Sequence, residues 1–304
     1  MAEPHRSGFA CFVGRPNAGK STLTNALVGS KVAITSSKPQ TTRHAIRGIV
    51  HREDAQLVII DTPGLHRPRT LLGERLNDIV HSTWSEVDVV GLCVPANEKI
   101  GPGDRYIAAE LKKIAQRRNG SGTPVVGIVT KTDLVKPEQV AEQLLALQEV
   151  MEFAELIPVS AVDGFQVGAL SDLLVRHLPE GPQLYPGGEL TDEPEQTLVA
   201  ELIREAALEG VRDELPHSIA VTVEEMLPHE GRDDMIDVHA FLYVERPSQK
   251  GIILGHKGER LKDVGARARQ QIEGLLGSKV YLDLHIKVAK EWQRDPRQLR
   301  RLGF

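Results

Sequence analysis

The chain has 304 residues, a formal net charge of −5, 40% hydrophobic and 26% charged residues. This is the composition of a folded globular protein of about two ordinary domains, and it excludes disordered and collagen-like classes. Two cysteines, Cys11 and Cys93, make neither a disulfide framework nor a zinc site. The N-terminus has no apolar signal core, and no apolar run reaches the length of a membrane span, so a cytoplasmic protein is expected. Taken whole, the acidic balance argues against nucleic-acid binding.

In chain order, Phe9–Val13 is a short apolar strand ending in a glycine-rich turn, and Ser21–Val28 reads as a helix. Ile46–His51 and Gln56–Ile60 form paired strands. Val87–Val94 and Pro124–Val129 are buried strands, with helices over Asp104–Arg118 and Pro137–Met151. Leu156–Val159 and Gly168–Leu178 close the series as strand and helix. Such alternation predicts an α/β domain over 1–180, a mostly parallel sheet with helices on both faces. Pro179-Glu180-Gly181-Pro182 and Pro186-Gly187-Gly188 punctuate the chain and place a linker over 181–194. Beyond it, 195–304 changes order: helix Glu195–Glu209, strands Ser218–Glu225 and Met235–Glu245, helices Gln249–Leu254 and Glu259–Leu276, strand Lys279–Val288. This order predicts a small α+β domain.

Gly14-Arg15-Pro16-Asn17-Ala18-Gly19-Lys20-Ser21 fits G-x-x-x-x-G-K-[ST] between a buried strand and a helix, with Thr22 following. Glycines let backbone N–H groups wrap a polyphosphate, and the helix start adds its positive end. Lys20 suits the β- and γ-phosphates, and the Ser21 hydroxyl suits a Mg²⁺ ion. Asp61-Thr62-Pro63-Gly64 follows the apolar strand Leu57–Ile60. An Asp there can hold Mg²⁺ through water, and the Gly64 N–H can meet the γ-phosphate. Thr130-Lys131-Thr132-Asp133 follows a strand in the same way, and a carboxylate at Asp133 reads the N1–H and 2-amino edge that guanine has and adenine lacks. Lys131 can lie over the base, and Ser160-Ala161 can offer an N–H to its O6. Gly255-His256-Lys257-Gly258 is a G-x-x-G between two helices, a loop type that clamps about four nucleotides in KH domains. Gly274–Gly277 matches the same pattern but reads as a helix end. The low aromatic content, 4%, argues against an aromatic stacking platform for RNA.

The set Gly14–Ser21, Thr41/Thr42, Asp61–Gly64, Thr130–Asp133 and Ser160–Ala161 resembles the five boxes of a translation-factor-type small GTPase. With the segment Gln249–Arg260 and the final stretch through Trp292, nearly the whole chain resembles the bacterial Era GTPase family. The resemblance implies a P-loop G-domain followed by a type II KH domain. It implies a GTPase that binds GTP, GDP and Mg²⁺ and whose KH domain, through Gly255–Gly258 and Arg260, binds the 3′ end of 16S rRNA during 30S subunit biogenesis. It further implies a monomer with peripheral membrane association as an option. Lys20, Thr42, Asp61 and Gly64 are then the catalytic set, with Thr42 preferred over Thr41 as the Mg²⁺ ligand joining Ser21 and Asp61. Asn17 is the position associated with K⁺ in related GTPases. Two departures stand out. The guanine motif begins with Thr130 where Asn is usual, and Leu65 stands where Ras-like enzymes carry the Gln that orients water. Leu65 keeps open a different reading, an RNA-binding module with very slow turnover.

The charge is not evenly spread. The segment 189–245 holds 3 basic and 16 acidic residues, whereas 246–304 holds 14 basic and 6 acidic. The −5 averages an acidic block with a basic one, and the basic block carries the G-x-x-G loop.

Overall fold

The computed structural model describes residues 4–36, 38, 41–65, 68–115, 122–211 and 215–304. Residues 116–118 of the expected helix Asp104–Arg118 lie outside them. Two compact units divide the chain. The first comprises Met1–Thr35, Thr42–Arg67 and Arg75–Asp192; the second comprises Ser36–Thr41, Pro68–Glu74 and Glu193–Phe304.

The first unit is built on six strands: β1 (Arg6–Val13), β2 (Ile46–His51), β3 (Ala55–Asp61), β4 (Val89–Pro95), β5 (Val125–Thr130) and β6 (Glu155–Pro158). Their order is β2-β3-β1-β4-β5-β6. Only β2 runs antiparallel to its neighbour; the other pairings are parallel. β3, β4 and β5 are buried along their whole length, which is why they read as continuous apolar runs. Helices α1 (Lys20–Val28) and α5 (Val167–Arg176) cover one face, where Leu23, Leu170 and Leu174 meet Phe12, Leu57 and Ile128. Helices α2 (Leu71–Glu86), α3 (Pro102–Ala115) and α4 (Pro137–Gln148) cover the other through Val80, Trp84, Ile107, Leu111 and Leu147. The parallel strands therefore all end at one edge, where the loops after β1, β3, β5 and β6 carry Gly14–Ser21, Asp61–Gly64, Thr130–Asp133 and Ser160–Ala161.

The Pro/Gly-rich stretch after α5 is not extended into solvent. Gly181 N donates to His5 O (3.0 Å), the Leu184 and Tyr185 amides donate to Gln56 Oε1 (2.6 and 2.9 Å), and Ile49 N on the edge strand β2 donates to Leu190 O (2.9 Å). It runs back along the sheet to Asp192, which pairs with Arg47 at 3.1 Å.

The second unit has α6 (Glu195–Leu208), the single turn α7 (Leu215–Ser218), β7 (Ala220–Pro228), β8 (Met235–Val244), α8 (Pro247–Leu254), α9 (Glu259–Leu276), β9 (Lys279–Val288) and α10 (Pro296–Arg301). Its sheet has the order β7-β8-β9, antiparallel then parallel, and the parallel β8–β9 pairing needs the crossover that α8 and α9 supply. The chain end is fixed by Trp292, fully buried, whose indole N–H donates to Ser218 O (3.0 Å) and whose ring stacks on Phe304. Within this unit the buried Arg204 of α6 pairs with Glu201 at 2.6 Å and donates to the Thr41 carbonyl. Among the described residues no helix is long and apolar enough to cross a membrane.

Candidate functional site: a nucleotide cradle and a glycine loop

β1 ends at Val13 and α1 begins at Lys20, so Gly14–Gly19 must turn between a buried strand and a helix that packs back on it. Lys20 is buried, and its Nζ donates to the carbonyls of Gly14 (3.2 Å) and Arg15 (3.1 Å). Burial lowers the Lys20 pKa, opposed by the nearby Asp61 carboxylate.

Three oxygens named from separate parts of the sequence come together here. Ser21 Oγ donates to Asp61 Oδ2 at 2.7 Å, Thr42 Oγ1 donates to the same oxygen at 3.2 Å, and the two hydroxyls are 2.9 Å apart. Asp61 is fully buried, and its other oxygen, Oδ1, has no hydrogen-bond partner. A buried carboxylate oxygen without a donor is costly unless something positive meets it. Burial raises the Asp61 pKa, while the Ser21 hydrogen bond, Lys20 and the Thr42 hydrogen bond pull it down. An all-oxygen set of this kind suits a hard cation such as Mg²⁺. The neighbouring Thr41 instead donates to Lys38 O (2.7 Å).

Thr62 Oγ1 donates to Phe12 O (3.0 Å), tying the Asp61–Gly64 turn to β1. Gly64 lies against the phosphate loop: a Cβ there would sit 2.9 Å from Pro16 N and 3.1 Å from Pro16 Cα, so only glycine allows the approach. Asn17 holds a left-handed φ of 64° in the same loop. Leu65 is buried in the core.

On the far side of the loop a cavity of about 200 Å³ is lined by Gly19, Thr22, Thr130, Lys131, Asp133 and Ala161, with Leu23, Leu134, Val159 and Val162 as its apolar walls. Asp133 is held by Ser160 Oγ, which donates to its Oδ1 at 2.8 Å. Thr130 donates from Oγ1 to Ala18 O (2.7 Å), both atoms buried. Thr130, which stands where Asn is usual, thus links the loop after β5 to the Gly14–Gly19 turn.

In the second unit, α8 ends at Leu254 and the chain turns through Gly255 (φ 69°), Lys257 (φ 50°) and Gly258 (φ 83°) into α9. A Cβ on Gly255 would lie 2.7 Å from Arg260 Cβ, so the first glycine is required by close packing onto α9. His256 and Lys257 are exposed at the tip. Arg260 does not join them: its guanidinium donates to Glu209 O (2.7 Å) and Ala207 O (3.5 Å), covering free carbonyls at the end of α6. Gly274–Gly277 is a helix end, with Gly277 left-handed (φ 66°) after α9.

A family model described as a 50S ribosome-binding GTPase matches residues 9–131, and a KH domain model matches residues 214–293. The GTPase Era of Streptomyces coelicolor is 69% identical over 308 residues, covering 99% of this chain and 95% of the relative. The chain belongs to the GTPase Era family. It is a GTPase with a C-terminal KH domain. Two solved structures of the family are 36% identical, each covering 98% of this chain and 99% of its own with a TM-score of 0.92. One is an Aquifex aeolicus Era variant bound to GDP.AlF4−, and the other is Era in complex with MgGDPNP and nucleotides 1506–1542 of 16S ribosomal RNA.

Proposed function

We propose that the chain is a Mg²⁺-dependent GTP switch that binds the 3′ end of 16S rRNA in 30S subunit biogenesis. The observation that carries the nucleotide half is the convergence of the Ser21 and Thr42 hydroxyls on Asp61 Oδ2, beside a buried Asp61 Oδ1 that has no hydrogen-bond partner. Ser21 and Thr42 would hold the metal directly and Asp61 through water. Bound there, Mg²⁺ would neutralise charge on the β- and γ-phosphates. Gly14–Gly19 present backbone N–H groups to the phosphates, Lys20 supplies a buried positive charge, and Gly64 brings its amide to the γ-phosphate. Asp133 and Lys131 hold guanine in the cavity with Ser160 and Ala161. Thr42 fixes Mg²⁺ only while a γ-phosphate is present, so the chain before it changes with hydrolysis.

Water attacks the γ-phosphorus in line. Leu65 is buried and apolar and does not orient it, so catalysis rests on positioning and electrostatics. We assign Asn17 to a K⁺ ion that supplies the positive charge other systems bring with an arginine. The RNA half rests on the exposed His256-Lys257 tip between Gly255 and Gly258 in a net-basic segment. The protein acts as a cytoplasmic monomer with peripheral membrane association.

GTP turnover in K⁺ against Na⁺, paired with binding of the GDPNP-loaded protein to a 16S 3′-end oligonucleotide, tests both halves. We expect faster turnover in K⁺ and tight, salt-sensitive RNA binding. Equal rates in the two cations would remove the K⁺ assignment, and equal affinity for an unrelated RNA would remove the rRNA assignment.

A further inference from the structure

Arg15 stands inside the phosphate loop, yet its side chain is committed elsewhere. Nε donates to Asp104 Oδ1 at 2.8 Å, and Nη2 lies 3.2 Å from Glu98 Oε2. Asp104, in the first turn of α3, is 1% exposed. Its second oxygen accepts the Gly101 N–H at 2.8 Å, so both carboxylate oxygens are used and their directions are fixed. The arginine stem runs over Gly103, where a Cβ would come within 2.8 Å of Arg15 Cδ. α3 does not need this ion pair to dock, because Ile107, Ala108 and Leu111 already bury it in the core. A buried carboxylate is a poor way to gain stability and a good way to fix geometry.

What it fixes lies on the nucleotide side. The Arg15 carbonyl is one of the two oxygens that receive Lys20 Nζ (3.1 Å), and it also accepts the Ala18 N–H (3.2 Å). The next residue, Pro16, is the one against which Gly64 packs, and Asn17 after it holds the left-handed backbone. We infer that Asp104 is a positioning residue for GTP hydrolysis: through the Arg15 guanidinium it holds Arg15–Asn17 in the shape that meets Lys20 on one side and Gly64 on the other. The inference rests on reading Gly14–Ser21 as the phosphate site. It adds a residue 89 positions from Arg15 that touches neither nucleotide nor metal.

The test compares Asp104→Asn, Arg15→Gln, the double variant and Arg15→Lys in the full chain, with thermal melts to establish folding. An amide has one acceptor oxygen, so Asp104→Asn sets an NH₂ group against either Arg15 Nε or Gly101 N. Displacements of an ångström or less in a reacting constellation cost up to about a hundredfold, so we expect kcat to fall about tenfold or more in Asp104→Asn and Arg15→Gln. The GDP dissociation constant and KM should stay within about threefold, since a contact that matters only in the transition state leaves ground-state binding alone. The double variant should be no slower than the worse single variant, because both cut the same tether. Arg15→Lys, which keeps a cation, should recover part of the rate. Should Asp104→Asn fail to fold, Arg15→Gln reads the same tether from its more exposed end. Unchanged kcat in a folded variant, GDP affinity lost in step with kcat, or fully additive losses would each overturn the inference. Nucleotide binding by Lys20→Ala tests the phosphate-site reading separately: undiminished binding there sinks that reading, whatever the Asp104 series shows.

Discussion

The nucleotide cradle and the Gly255–Gly258 loop are both glycine turns at the start of a helix, and they are built in opposite ways. In the cradle the polar side chains answer one another, and Lys20, Thr42, Asp61, Thr130 and Ser160 are buried: Ser21 and Thr42 meet Asp61, Lys20 two carbonyls, Thr130 the Ala18 carbonyl, and Ser160 the more exposed Asp133. In the loop the backbone is fixed by Gly255 packing on Arg260, while His256 and Lys257 stand in solvent. Buried polar networks make each member expensive to change, because its partner is left unpaired in a medium of low dielectric. Exposed cations act through charge and fall off with salt. The first region is therefore suited to selecting one nucleotide and turning it over, the second to holding a polyanion loosely enough to release it.

The largest effect is expected at Asp133. Asp133→Asn offers guanine an amide where a carboxylate read two donors, and sites built for such pairs reject a mismatched ligand by about 10⁴-fold. Competition binding should show GTP affinity collapse by that order and XTP affinity rise; retained GTP preference would show that Asp133 does not face the base. Next comes Thr130→Val, which leaves the buried Ala18 carbonyl without its donor. That costs about 1–3 kcal/mol, so GDP affinity should weaken about tenfold or more in a titration with labelled nucleotide.

A pH titration sharpens the same contrast more gently. Burial raises the Asp61 pKa above the ordinary carboxylate range, and a metal needs the ionised form. Mg²⁺ affinity should therefore fall as pH drops through that raised value, by up to about tenfold per pH unit, and the effect should vanish in Asp61→Asn. RNA binding at the loop should not share this dependence on Asp61. The smallest effect is expected for Arg260→Ala. Its guanidinium covers the Glu209 and Ala207 carbonyls, so the change should cost the second unit about 1 kcal/mol in denaturant unfolding and weaken RNA only a few-fold. A hundredfold loss of RNA affinity would instead make Arg260 a direct RNA contact.

Much of this was legible in the sequence, and what was not has physical reasons. The phosphate loop, Asp61–Gly64 and Thr130–Asp133 are short motifs at strand ends, where local backbone dictates both the residue types and their direction. The main order of elements in the second unit is likewise readable from periodicity, apart from the short helices α7 and α10. Helix α2 is hard to read from the sequence, although Leu72, Leu76, Val80 and Trp84 recur every four residues as its buried ridge. Ser82, Thr83 and His81 dilute the apolar signal between them. The Pro/Gly-rich stretch reads as a spacer, but hydrogen bonds from the Gln56 side chain on β3 and the Ile49 amide on β2, which no motif encodes, seat it on the sheet. Arg260 stands beside the glycine loop in sequence, yet its partners are backbone carbonyls at the end of α6, invisible to any residue-type argument. The Arg15–Asp104 tie joins residues brought together only by the parallel sheet.

The division of labour between the two regions is tested most directly by one protein, His256→Asp/Lys257→Asp, assayed for both activities. Charge reversal at the exposed tip should lower affinity for a 16S 3′-end oligonucleotide by about a hundredfold or more at physiological salt. Basal GTP turnover and GDP affinity of the same preparation should match those of the parent chain. RNA affinity that survives the reversal, or turnover that falls with it, would contradict the account.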